Sequence, residues 1–301
     1  MTETTYMADI SKINYQKLSE YEKLGEALEI LVQRYKTVKV GSLGKSVLGR
    51  SIPVITAGNS MSNKGVMYVG GIRGYDVITP SVLMRFIFDY AEFLENGKRL
   101  YNISMPYLYE NRTIHIVPLL NPDGAFIRKN GVDGIPGGDR LFSINGGEDF
   151  SDWGYNARGV DLWHNFTKSE RAEERDGLSP ESEPECECLC SYLRMFDEIE
   201  TVLSFGVDDS RIICSSGGLT ATRSMAMGRL ISRMSGTTLS KAFENDRNFG
   251  TLTDFFIRQL KKPAFSCGCI AEGEDRPTDS EEYIKAYAAF REVLFSTGVL
   301  I

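Results

Sequence analysis

Residues Gly65-Val-Met-Tyr-Val-Gly-Gly-Ile-Arg-Gly-Tyr-Asp-Val-Ile-Thr-Pro80 decide the fold. The run as far as Gly71 is apolar without polar alternation, as in a strand covered on both faces. Thr79 and Pro80 supply an N-cap and a first-turn proline, so a helix is expected from there to about Gly97. The segment therefore reads strand, loop, helix. Its loop, Ile72 to Val77, stands at the strand's C-terminal end, where open α/β sheets bind their ligands.

Working outward, Leu18, Tyr21, Leu24, Leu28, Leu31 and Val32 recur at intervals of three and four, which predicts an amphipathic helix within Ser11 to Tyr35. Thr37–Val40 and Ile52–Thr56 are short β-branched runs separated by turn-rich chain, and read as a hairpin. Further strands are expected at Thr113–Val117, Thr201–Phe205, Arg211–Cys214 and Ala264–Cys269. Helices are expected at Glu181–Phe196, Leu219–Met234, Thr251–Lys262 and Asp279–Thr297. Asn121-Pro-Asp-Gly124 reads as a turn, and Gly124 to Trp153 as irregular, glycine-rich chain. With no repeat and no linker, the expectation is one α/β domain over residues 1–301, built on a mixed, largely parallel sheet.

Charge narrows the function. The chain has 34 Lys+Arg against 41 Asp+Glu, a formal charge of −7. No basic footprint accumulates for nucleic acid or an anionic membrane. No apolar run nears the ~18 residues of a membrane span, and the first residues lack the basic and apolar regions of a secretion signal, so a cytoplasmic protein is expected. Six cysteines, at 186, 188, 190, 214, 267 and 269, are too clustered for a disulfide framework and read as reduced thiols. The only histidines are His115 and His164, which excludes a metal site built from three or four imidazoles.

Several blocks follow one another in a fixed order: Gly44-Lys-Ser-Val-Leu-Gly-Arg50, Gly70 to Thr79, Asn121-Pro-Asp-Gly124 and Asn156-Ala-Arg-Gly-Val-Asp-Leu-Trp-His-Asn-Phe166. Ser182-Glu-Pro-Glu185, Leu203-Ser-Phe-Gly206 and Asp254-Phe-Phe leading to Pro263-Ala-Phe-Ser-Cys-Gly-Cys269 complete the series. Together they resemble the zinc carboxypeptidase family, most nearly its bacterial branch of γ-D-glutamyl-diaminopimelate peptidases. The resemblance implies a roughly eight-stranded mixed sheet flanked by helices on both faces. It also implies one zinc, two ligands from a His-x-x-Glu after a central strand, a third from a later histidine, a glutamate base, and an Asn-Arg pair for the substrate carboxylate.

Carried over residue by residue, the resemblance places Arg73, Asp76 and Leu203 at the ligand positions, Gly268 at the base, and Trp163-His164 at the carboxylate-binding pair. A guanidinium has no lone pair to give a metal. The expectation is therefore a domain with no cofactor and no hydrolysis by the family's route, which binds a peptide, a cell-wall peptide or another small carboxylate. Asp161 has a place orienting the first ligand in the family, so Asp161 or Asp76 is expected to pair with Arg73. Arg73, Asp76, Asp161, Trp163, His164, Arg128 and Arg140 are the candidate binding residues. Two alternatives stand beside this reading: an active peptidase with an unusual site, drawing on Glu272 or Glu274 as base or on a metal held by Asp76 with Asp208, Asp209 or a partner chain, and a structural or partner-binding protein with a filled cleft.

Overall fold

The structure is a computed structural model that describes residues 10–59, 61–167, 179–207, 210–216, 218–240, 250–270 and 282–301. Asp208, Asp209, Glu272 and Glu274 lie outside them.

Helix α1 (Tyr21–Arg34) leads into the hairpin β1 (Val38–Lys45) and β2 (Ser51–Gly58), and then β3 (Gly65–Val69) and α2 (Thr79–Glu95). A two-strand ribbon, β4 (Arg99–Leu100) and β5 (Ile103–Ser104), and α3 (Met105–Asn111) precede β6 (Thr113–Val117). The middle of the chain forms α4 (Pro122–Asn130), α5 (Asp139–Asn145), α6 (Pro184–Met195) and β7 (Ile199–Gly206). The remainder is β8 (Arg211–Ile213), α7 (Ser224–Ser235), β9 (Thr238–Leu239), α8 (Leu252–Phe255), β10 (Ala264–Gly268) and α9 (Tyr283–Leu300).

Eight strands form one sheet in the order β1-β2-β6-β3-β7-β10-β8-β9. The central four, β6, β3, β7 and β10, run parallel. β3 has β6 on one side and β7 on the other, so the chain leaves its C-terminal end at a switch of direction, and the loop after β3 opens into that crevice. Both faces are covered. Tyr68, Leu203, Phe205 and Phe265 pack with α1, α2 and α9, while Met67, Val69 and Val202 pack with α6 and α8.

Two stretches differ from their expected form. Asn121-Pro-Asp-Gly begins a helix, α4, because Asn121 caps it: its side chain accepts from Gly124 N at 2.8 Å, and Pro122 takes the first-turn position. Glycine density had hidden both α4 and α5. The expected helix over Thr251–Lys262 divides into α8, closed by a reciprocal Thr251/Asp254 capping box, and a wide π-type turn over Phe256–Leu260.

Gly74 shows why the loop after β3 carries glycine. A Cβ there would stand 2.5 Å from the Trp153 carbonyl and 2.7 Å from that of Gly124, so this loop, the loop at Trp153 and the first turn of α4 meet in close backbone approach.

Candidate functional site

The loop after β3 aims Arg73 over the crevice. Its Nη2 donates to Asp161 Oδ2 at 3.3 Å, and its guanidinium lies 5.0 Å from the centre of the Trp163 ring, a cation–π distance. The side chain is 15% exposed, so the charge is largely shielded but not sealed in.

Asp161 is the hub. Its Oδ1 accepts from Trp163 N at 2.9 Å, capping a short turn over Leu162–His164, while Oδ2 lies 2.8 Å from His164 Nδ1. Burial alone would raise this carboxyl. The His164 hydrogen bond and the Arg73 charge outweigh burial and hold it well below the ordinary carboxylate range. Asp161 is thus a fixed anion between two cationic or cation-forming groups.

Trp163 forms the floor. A Cβ on Gly206, the last residue of β7, would approach the ring's Cη2 to 2.9 Å, so only glycine leaves room for the indole. Gly206→Ala is expected to push the ring off β7 and destabilise the fold by roughly 1–3 kcal/mol, as overpacking does. Thermal unfolding and tryptophan fluorescence check this, and an unchanged emission and melting point would contradict the packing.

Four expected participants stand elsewhere. Asp76 does not pair with Arg73: its Oδ2 accepts from Thr79 Oγ1 at 2.6 Å and its Oδ1 from Thr79 N at 3.1 Å, so it caps α2. Leu203 points into the core against Tyr68 and Phe205, because strand alternation gives the crevice-side face to Ser204 and Gly206. Arg128 donates from Nε to the Ser151 carbonyl at 3.1 Å and Arg140 donates to that of Arg158 at 2.5 Å, so both brace the 139–159 loop and stand outside the Arg73–Asp161–His164 chain.

Gly268 ends β10, in register with Gly206, and has no side chain to move a proton. All six thiols are shifted upward, with burial first among the causes, which leaves none prepared as a nucleophile.

A second group went unnoticed in the sequence. The hairpin tip sits on two buried carboxylates: Leu48 N donates to Asp123 Oδ2 at 2.7 Å, Arg50 Nη1 to Asp123 Oδ1 at 2.7 Å, and Val47 N to Glu185 Oε1 at 3.2 Å. Asn156 Nδ2 donates to Glu183 Oε2 at 2.7 Å and to Glu185 Oε2 at 3.4 Å. The only signal was that these residues lie in the glycine- and proline-marked blocks, each of which reads locally as a turn or helix start.

A family model described as zinc carboxypeptidase matches residues 25–263. The chain is 27% identical over 267 residues to gamma-D-glutamyl-L-diamino acid endopeptidase 1 of Lysinibacillus sphaericus, an alignment covering 84% of this chain and 66% of that protein. The chain therefore spans just under two thirds of that relative's length. Among solved structures, thrombin-activatable fibrinolysis inhibitor superposes with a TM-score of 0.73 at 18% identity, covering 98% of this chain and 77% of that one. The murein-tripeptide amidase MpaA of Escherichia coli O157 does so with a TM-score of 0.51 at 20% identity, covering 85% and 91%. These structural likenesses show the fold.

The family match overturns one expectation, that no cofactor belongs to this chain: zinc is the cofactor the matching family implies. The residues at the implied ligand positions do not fit it. Arg73 has no lone pair to give, Leu203 is buried in the core, and the Asp76 oxygens are engaged at the start of α2. Among the described residues, no group of three or more His, Cys, Asp or Glu side chains is placed to hold a metal ion. Nor is any helix among them long and apolar enough to cross a membrane.

Proposed function

Because the chain belongs to the zinc carboxypeptidase family, we propose that it is a member of that family that binds a peptide through its terminal carboxylate and releases it uncut. The observation that carries this reading is the Arg73–Asp161 pair lying on the Trp163 ring at the C-terminal ends of β3 and β7.

Arg73 supplies N–H donors and charge for a carboxylate, and the indole beside it lowers the local dielectric, which strengthens that attraction. Asp161 offsets the Arg73 charge. Water activation has no support from the general-base position, since Gly268 carries no carboxylate to take the proton.

The relative from Lysinibacillus is named for a bond beside a diamino acid, so we infer a ligand of that class, a γ-D-glutamyl peptide ending in a diamino acid. Calorimetric titration with L-Ala-γ-D-Glu-meso-diaminopimelate and with its carboxamide tests the reading. The free acid is expected to bind and the amide to lose most of that affinity. Equal binding of the two, or none by either, would contradict the assignment to Arg73.

A further inference from the structure

Arg73 and Asp161 make an ion pair of a different kind from Arg50 and Asp123. Arg50 Nη1 donates to Asp123 Oδ1 at 2.7 Å, and the Asp123 side chain is sealed from water. Arg73 Nη2 stands 3.3 Å from Asp161 Oδ2, long for a charge-assisted bond, and the Asp161 side chain is 29% exposed. Solvent, and therefore a ligand, reaches both charges of the second pair.

Asp161 also has room for one donor more. A carboxylate accepts about four hydrogen bonds. Among the described residues Asp161 accepts from Trp163 N on Oδ1, and from His164 Nδ1 and Arg73 Nη2 on Oδ2.

The charges say which ligand suits such a pair. Arg73 and Asp161 sum to zero. A lone carboxylate drawn to Arg73 meets the Asp161 anion beside its partner and leaves an unbalanced negative charge. A head that carries an ammonium and a carboxylate on one carbon leaves the sum at zero. Its two charges are adjacent, like those of the protein, so the four alternate around a ring: guanidinium, ligand carboxylate, ligand ammonium, Asp161. Every neighbour in that ring is of opposite sign. The Trp163 ring, 5.0 Å from the guanidinium, adds to the preference, because the negative face of an indole attracts a cation.

We propose that Asp161 and Trp163 receive an ammonium group, so that with Arg73 the crevice selects a free amino-acid head, ammonium and carboxylate on one carbon, over a carboxylate alone. The proposal rests on the carboxylate-binding reading of Arg73 and narrows it. Of the two carboxylates on a terminal diaminopimelate, Arg73 takes the one beside the free amine, and Asp161 is a specificity-determining residue as well as a counter-charge.

Three tripeptides that differ only at that head test this by calorimetry. They are L-Ala-γ-D-Glu-meso-diaminopimelate, the same peptide ending in 2-aminopimelate, which lacks the head ammonium, and the one ending in lysine, which lacks the head carboxylate. Each deletion is expected to weaken binding to the wild-type protein at least about tenfold, the worth of one charge-assisted hydrogen bond. In Asp161→Asn the diaminopimelate and aminopimelate peptides are expected to bind alike, with unfolding curves to check the fold. An aminopimelate peptide that binds the wild type as tightly as the diaminopimelate peptide overturns the proposal without any variant, and leaves the reading of Arg73 standing. A preference for the ammonium that persists in Asp161→Asn overturns the assignment to Asp161. A lysine peptide that binds as tightly as the diaminopimelate peptide, or no binding by any of the three, overturns the proposal together with the reading of Arg73.

Discussion

Arg73→Met is expected to lower affinity for the diaminopimelate tripeptide roughly 10- to 100-fold, the worth of a charge-assisted hydrogen bond to a carboxylate. Methionine keeps the unbranched stem against Trp163 but removes charge and donors, so the loss reports on recognition more than on packing. The variant also removes the Arg73 charge from Asp161 and leaves it the His164 hydrogen bond, which should draw its carboxyl back toward the ordinary range. Calorimetry measures the affinity, and unfolding curves check that the fold survives. A variant that binds as well as wild type would place the ligand elsewhere.

The second large effect is a pair of opposed pH dependences in stability. His115 is buried in mid-strand, its Nδ1 2.8 Å from Tyr192 Oη and its Nε2 without a partner, and burial lowers its pKa from 6.5 to about 4. A depressed pKa contributes stability that is present above pH 6.5 and is lost as pH falls through about 4. Glu185 is raised from 4.5 to about 7, so its contribution is full below pH 4.5 and is lost as pH rises through about 7. Each amounts to about 3 kcal/mol by linkage, over windows that nearly coincide, so the two should largely cancel.

Removing either group uncovers the other. His115→Phe should fall in stability relative to wild type as pH rises across that window, and Glu185→Gln should fall relative to wild type as pH drops through it. Denaturant unfolding at several pH values measures both, using the change of ΔΔG with pH, since other carboxyls such as Asp161 contribute equally to each protein. Parallel curves for wild type and the two variants would show that neither burial shifts a proton.

The sequence carried the architecture because the architecture depends on local patterns: the uninterrupted Gly65–Gly71 run gives the central strand, and the Thr79-Pro80 pair gives the helix after it. The order of the blocks carried the family. Other features depended on which side of a strand or which end of a helix a residue took. The family resemblance puts Leu203 at a ligand position, but period-two alternation turns it into the core and gives Gly206 to the crevice. Of the two carboxylates expected as partner of Arg73, Asp161 takes that place, while the start of α2, closer in sequence, claims Asp76. The Asp123–Asn156–Glu185 cluster joins residues far apart in the chain, and no local spacing announces it.

The central claim, that the crevice holds a peptide carboxylate without cutting the peptide, is tested most directly by watching the peptide itself. Isotope-labelled L-Ala-γ-D-Glu-meso-diaminopimelate, mixed with the protein in zinc-containing buffer, would be followed by NMR over a day. The account predicts that the diaminopimelate resonances shift and broaden with added protein and that no new species appears. Resonances of free diaminopimelate growing in proportion to protein would contradict it, and would make this chain a working peptidase with a site built from other residues.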